Sequence, residues 1–211
     1  MKTRIPPLLA LAALLGCIQE NHASPEFMGI CTNPAPDASG CLYSPTCDSY
    51  ALFTYVYDPA ATPDLLVPIE MRNQLADNSD PSSGRVNTND AVIQQFNFEY
   101  LIGSNTPVLT ASENVSVVLP AATTKTALVP VIPASLNATM SALPAGTQFV
   151  VNVRAAGRYA DERYFETGPF RVPAGVDVVT NIVPSITCAT GSVLDACPRY
   201  GQAGSYACVT P

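Results

Sequence analysis

Over residues 94–102 apolar and polar side chains alternate, with Phe96, Phe98, Tyr100 and Ile102 on one side and Gln95, Asn97, Glu99 and Leu101 on the other. A period of two marks a strand with one face buried. Residues 65–74 repeat it, placing Val67, Ile69 and Met71 together, and residues 49–57 (SYALFTYVY) are aromatic and β-branched. Further strands are predicted over 114–119, 125–132, 148–155, 163–172 and 176–183. Turn formers separate them, as in Asp77-Asn78-Ser79-Asp80-Pro81 and Pro144-Ala145-Gly146. Residues 135–143 predict one or two helical turns, with Ser135 as the cap and Pro144 as the stop. This pattern predicts a mainly β fold: a single antiparallel β-sandwich, immunoglobulin-like in the broad sense. Pro130 and Pro169 fall inside strand candidates, so those strands are expected at edges, bulged or interrupted. The chain has no Trp, the usual core anchor of immunoglobulin domains.

Composition sets the size of that core. With 211 residues, 47% of them apolar and 13% charged, the chain can bury one globular core. Its 12 Gly and 20 Pro follow no short period, which suits many turns between short strands. Seven cysteines are distributed unevenly: Cys31, Cys41 and Cys47 lie early, and Cys188, Cys197 and Cys208 lie in the last 24 residues. If these six are oxidised, three cysteines in one cluster cannot pair wholly among themselves, so at least one bridge joins the two clusters. The shortest such loop, Cys47 to Cys188, is worth about 5 kcal/mol in the chain-entropy model. The termini of the domain are therefore expected to be stapled together. A zinc site is disfavoured, since no two cysteines have the close two-residue spacing and His22 is the only histidine.

The seventh cysteine belongs to the N-terminus. Lys2 and Arg4 precede an apolar stretch over residues 5–15 that is too short to span a membrane, the form of a secretion signal. Leu14-Leu15-Gly16-Cys17 resembles the bacterial lipobox, which implies cleavage before Cys17 and a diacylglycerol on its thiol. The alternative is an ordinary signal cut after Ala23, with Cys17 discarded. Parity favours lipidation of Cys17, which leaves an even six cysteines. The organisation predicted is a signal peptide over 1–16, a tether and Cys-rich loops over 17–48, the sandwich over 49–184 and a Cys-containing tail over 185–211.

Removing residues 1–16, which hold two cations and no acid, takes the formal net charge from −7 to −9. So acidic a chain is a poor match for nucleic acid. Candidate chemistry is sparse. His22 falls in the tether, so no positioned histidine base is expected for a serine or cysteine nucleophile, and no GxGxxG, Walker-type or GxSxG pattern occurs. Asp161, Glu162 and Glu166 are the carboxylates for a carboxylate-only hydrolase, although a solvated hairpin turn over 157–162 explains them better. Asp77, Asn78 and Asp80 with Asn87, Asn89 and Asp90 offer oxygen ligands for calcium, but the same residues are preferred in turns. No catalytic residue, metal site or cofactor is assigned. Asn114-Val115-Ser116 and Asn137-Ala138-Thr139 match the glycosylation acceptor pattern by chance.

Several segments together resemble the uncharacterised surface lipoproteins of myxobacteria: Leu66-Val67-Pro68-Ile69 into Asn73-Gln74-Leu75, the strand from Val92 to Tyr100, the Phe149 to Gly157 strand and hairpin into Phe170-Arg171-Val172-Pro173, and the closing Cys197 to Cys208 with Gly201-Gln202. The resemblance implies a β-sandwich at the outer membrane and no activity; Ile18, where an aspartate would signal inner-membrane retention, agrees with that address. The expectation is a noncatalytic structural, adhesive or binding module of the envelope, anchored to the membrane by its lipid and contacting an envelope protein or a glycan. The alternative is an accessory subunit of an envelope transport or assembly complex.

Overall fold

Alternation becomes pairing in the computed structural model, which describes residues 24–31, 47, 49–50, 55–60, 62–103, 106–176, 193–196 and 206–209. The strands are β1 (Glu26–Ile30), β2 (Tyr55–Tyr57), β3 (Leu65–Arg72), β4 (Ala91–Ile102), β5 (Leu109–Leu119), β6 (Thr124–Ile132), β7 (Thr147–Tyr159), β8 (Tyr164–Glu166), β9 (Phe170–Val176), β10 (Val193–Ala196) and β11 (Tyr206–Val209). A three-stranded sheet, β1-β3-β6, packs on a six-stranded sheet in the order β2-β9-β7-β4-β5, with β8 paired to β7. β10 and β11 pair with each other. The fold is the expected mainly β sandwich, antiparallel except where β2 joins β9 in parallel.

The predicted alternation selects the core. Val67, Ile69 and Met71 from β3 meet Phe96, Phe98 and Tyr100 from β4 in one apolar cluster, each essentially inaccessible to solvent. Each such side chain contributes about 1.5–3 kcal/mol by leaving water. The two sheets are also tied by polar and aromatic contacts. The Tyr100 hydroxyl donates to the Val131 carbonyl of β6 at 2.8 Å, and the Phe27 ring of β1 stacks on Phe170 of β9 with centroids 5.2 Å apart.

Proline and glycine explain where sequence reading slipped. The single strand predicted over 163–172 is two, β8 and β9, interrupted at Thr167-Gly168-Pro169, where Pro169 removes a ladder donor. Pro130 lies in β6, an edge strand, as expected. Pro68 sits in β3, which has neighbours on both sides. The Cys31 N–H donates to the Pro68 carbonyl at 2.8 Å, just past the end of β1, so the missing proline donor costs one bond at the ladder's end.

Two boundaries are corrected, and two fall partly outside the described residues. β1 lies within 17–48, read as tether and loops, so the sandwich begins before residue 49. In the strand predicted over 49–57, Tyr55–Tyr57 form β2, Tyr50 makes an isolated bridge to Cys31, and 51–54 lie outside the described residues. Residues 135–143 form a 3-10 turn, Ala134–Leu136, and the short helix α1, Asn137–Ser141; Ser135 does not cap either, since neither N-cap makes a side-chain hydrogen bond. In the strand predicted over 176–183, Val176 ends β9 and 177–183 lie outside the described residues.

Burial pushes the Tyr55 and Tyr100 phenols well above their ordinary 10.0. A phenol whose folded pKa is raised binds its proton more tightly in the folded state than in the unfolded one. Its stabilisation is therefore intact below the unfolded value and is lost as pH rises through and above about 10, at about 1.4 kcal/mol per pH unit for each group. Urea midpoints are expected to fall steeply above that pH, with tyrosinate absorbance appearing together with unfolding. Ionisation of all the tyrosines near pH 10 in a folded chain would contradict this burial.

Candidate functional site

The strands define two ends of the sandwich. The first gathers the start of β1, the β3–β4 connector over 73–90, the β5–β6 turn over 120–123 and the β7–β8 turn over 160–163. The second gathers the connectors over 58–64, 103–108 and 133–146. The first end holds nearly all the residues singled out above as candidates for chemistry.

Asn73 organises that end. Its side chain is fully buried, and its Nδ2 donates to the Asn89 carbonyl at 2.8 Å and the Leu119 carbonyl at 3.1 Å. Its Oδ1 accepts from the Leu75 N–H at 3.1 Å and the Ser24 hydroxyl at 3.0 Å, while the Gln74 N–H donates to Ser24 Oγ at 2.7 Å. Ser24, only 8% exposed, is thus docked into the domain. Sequence reading missed Asn73, because an asparagine after a strand reads as a turn former.

The oxygens considered for calcium serve the backbone instead. Asp77 Oδ1 accepts from the Ser79 N–H at 2.7 Å, Asp80 Oδ1 from the Ser82 N–H at 3.0 Å, Asn78 Oδ1 from the Thr88 N–H at 2.8 Å and Asn87 Oδ1 from the Asn89 N–H at 3.0 Å. Asp90 Oδ1 accepts from Asn87 Nδ2 at 2.7 Å and from the Ala121 N–H at 2.8 Å. Hydrogen bonds from Ser79 hold the Asp77 carboxyl below its usual range, and those from Ser82 and Ser83 do so for Asp80. Among the described residues no three His, Cys, Asp or Glu side chains are grouped as a metal would require.

Asp161, Glu162 and Glu166 are not brought to face one another. Asp161 pairs with Arg163, Oδ2 to Nε at 2.6 Å, and that contact lowers its pKa. A carboxylate held down in this way is a poor proton donor near neutral pH. Glu162 takes a positive φ of 68° in the turn, its carbonyl accepting from Arg158 at 2.8 Å, and Glu166 lies exposed on β8 opposite Ala156. Arg163 lies 5.0 Å over the Tyr159 ring and reaches Asn89 Oδ1 at 3.3 Å, so this turn braces the neighbouring connector.

Cys31 and Cys47 form a disulfide, with Cα atoms 5.3 Å apart. Closing so short a loop contributes about 3 kcal/mol. Tyr50 bridges Cys31 in the backbone, its ring covers Gly29 and its hydroxyl donates to Glu70. A Cβ at Gly29 would meet that ring at 2.5 Å, so glycine leaves the space it needs. The bridge is local and does not join the two clusters. Cys17, Cys41, Cys188 and Cys197 lie outside the described residues; Cys208 belongs to β11.

At the second end, Asn137 Nδ2 lies 2.8 Å from the Tyr57 hydroxyl, 3.0 Å from the Pro59 carbonyl and 3.2 Å from the Thr62 carbonyl. This asparagine of an apparent glycosylation motif is a structural clamp between α1 and the 58–64 connector. Asn114 is exposed on β5, an edge strand of the six-stranded sheet among the described residues.

No family model matches this chain, and no curated protein does. Among the described residues no helix is long and apolar enough to cross a membrane.

Proposed function

We propose that the chain is a lipid-anchored envelope protein of the outer membrane, a noncatalytic structural, adhesive or binding module held by acyl chains on Cys17. The lipobox Leu14-Leu15-Gly16-Cys17 carries this reading. The use of the candidate catalytic and calcium-binding oxygens in turns and in an exposed ion pair supports a noncatalytic role. Multiple acyl chains hold a protein stably where one gives only marginal binding. The wild type is expected in the membrane fraction of lysed cells and Cys17→Ser in the soluble fraction. Equal partition of the two would refute the anchor.

The Cys31–Cys47 bridge narrows the remaining pairing. With Cys17 lipidated and all six others oxidised, Cys41 has only Cys188, Cys197 or Cys208 as a partner. The cross-cluster loop is then at least Cys41 to Cys188, worth about 5 kcal/mol in the chain-entropy model. Non-reducing peptide mapping is expected to link Cys41 to one of these three; a free Cys41 thiol beside an intact Cys31–Cys47 bridge would contradict it.

A further inference from the structure

We infer that the domain is oriented on the bilayer, with the Asn73 end towards the lipid and the Asn137 end directed away. This rests on lipidation of Cys17 and adds a geometric limit that lipidation alone does not set. Ser24 is held by Asn73 and Gln74, so the chain between Cys17 and Ser24 limits how far the lipid can lie from that end. Seven peptide steps separate Cys17 from Ser24, and fully extended they reach about 25 Å. β7 has 13 residues and runs from one end of the sandwich to the other. At about 3.3 Å per residue it is about 43 Å long. Standing the domain on its Asn137 end would lift Ser24 about 43 Å from the bilayer, beyond the tether's reach.

The length of the tether sets this placement, and the charges at the two ends work against it. The connectors of the Asn73 end carry Asp77, Asp80, Asp90, Asp161 and Glu162 against Arg85 and Arg163. An anionic headgroup layer repels that excess of acid, so the contact runs through the lipid and the domain stands off on its tether. At the opposite end, residues 103–108 and 133–146 contain no charged side chain, and only Asp58 and Asp64 lie in the third connector. These low-charge loops, which contain Pro107, Pro133 and Pro144, lie at the end directed away from the lipid.

The chain has no Trp, so single tryptophans report position cleanly. Val86, 78% exposed at the Asn73 end, and Val108, 58% exposed at the other, are suitable sites. The full lipidated chain carrying Val86→Trp or Val108→Trp is reconstituted in phosphatidylethanolamine/phosphatidylglycerol vesicles containing dansyl-labelled phosphatidylethanolamine. Energy transfer from Val86→Trp to the dansyl headgroups is expected to exceed that from Val108→Trp several-fold. Equal transfer, or more from Val108→Trp, in a chain that carries its lipid overturns the orientation alone. A chain that takes no lipid and stays off the vesicles overturns the anchor and the orientation together.

Discussion

Asn73→Ala is expected to destabilise the domain by about 4 kcal/mol, because each buried partner left without a bond costs about 1–3 kcal/mol. The substitution strips hydrogen bonds from the Asn89 and Leu119 carbonyls and the Leu75 N–H at once, and takes from Ser24 the acceptor that orients it. These four partners come from the N-terminal segment, the β3–β4 connector and the end of β5, so the loss is spread over one whole end of the sandwich. The drop is read as a lower urea midpoint at unchanged slope, or as a fall of about 10 °C in Tm for a chain of this size. Gln95→Ala, at a half-exposed site on β4, serves as the reference and is expected to change stability little. A loss below about 1 kcal/mol for Asn73→Ala would show that water replaces these bonds and that the residue is not the hub described.

Gly157→Ala is expected to be as damaging for the opposite reason: it adds an atom where no space exists. Gly157 of β7 faces Ile93 beside the register shift of β4, and a Cβ there would lie 2.0 Å from the Val92 carbonyl oxygen, 2.9 Å from Ile93 Cα and 2.9 Å from the Phe165 ring. Two of those neighbours are backbone in the centre of the six-stranded sheet, so relief requires strands to part. Overpacking in cores costs about 1–3 kcal/mol, and a backbone clash lies at or beyond the top of that range. Gly168→Ala, whose Cβ would meet nothing within 4 Å, is expected to change stability by less than about 0.5 kcal/mol. Comparable midpoints for the two variants in denaturant unfolding would contradict the close packing of β7 on β4.

The strands that sequence reading located, β3 to β7, are those in which alternation and burial agree over a long run, as at Phe96, Phe98 and Tyr100. β1 was illegible because it is five residues long, breaks register between Phe27 and Gly29 and presents only Ile30 as a fully buried apolar residue. The parallel pairing of β2 with β9 joins segments more than a hundred residues apart, and no local pattern encodes it. The split between β8 and β9 was legible in principle, since Gly168-Pro169 is a breaker, but the apolar residues on either side masked it. At the functional level the residue types were visible and their roles were not. Asp77, Asp80 and Asp90 look alike as ligands or as turn residues until their acceptors are matched with donors, and Asn73 becomes a hub only when the N-terminal segment, the β3–β4 connector and the end of β5 converge on it. The cysteines were the converse case: parity limits their pairing before any geometry, and with the Cys31–Cys47 bridge formed, a fully oxidised set of six would leave Cys41 as the N-terminal partner of the C-terminal cluster.

The proposed lipid on Cys17 is the premise on which both the orientation of the domain and the pairing of Cys41 rest. Growing cells on a radiolabelled fatty acid and comparing wild type with Cys17→Ser tests it directly. The account predicts label on the wild-type chain and none on the variant. A labelled variant, or an unlabelled wild type, would contradict it.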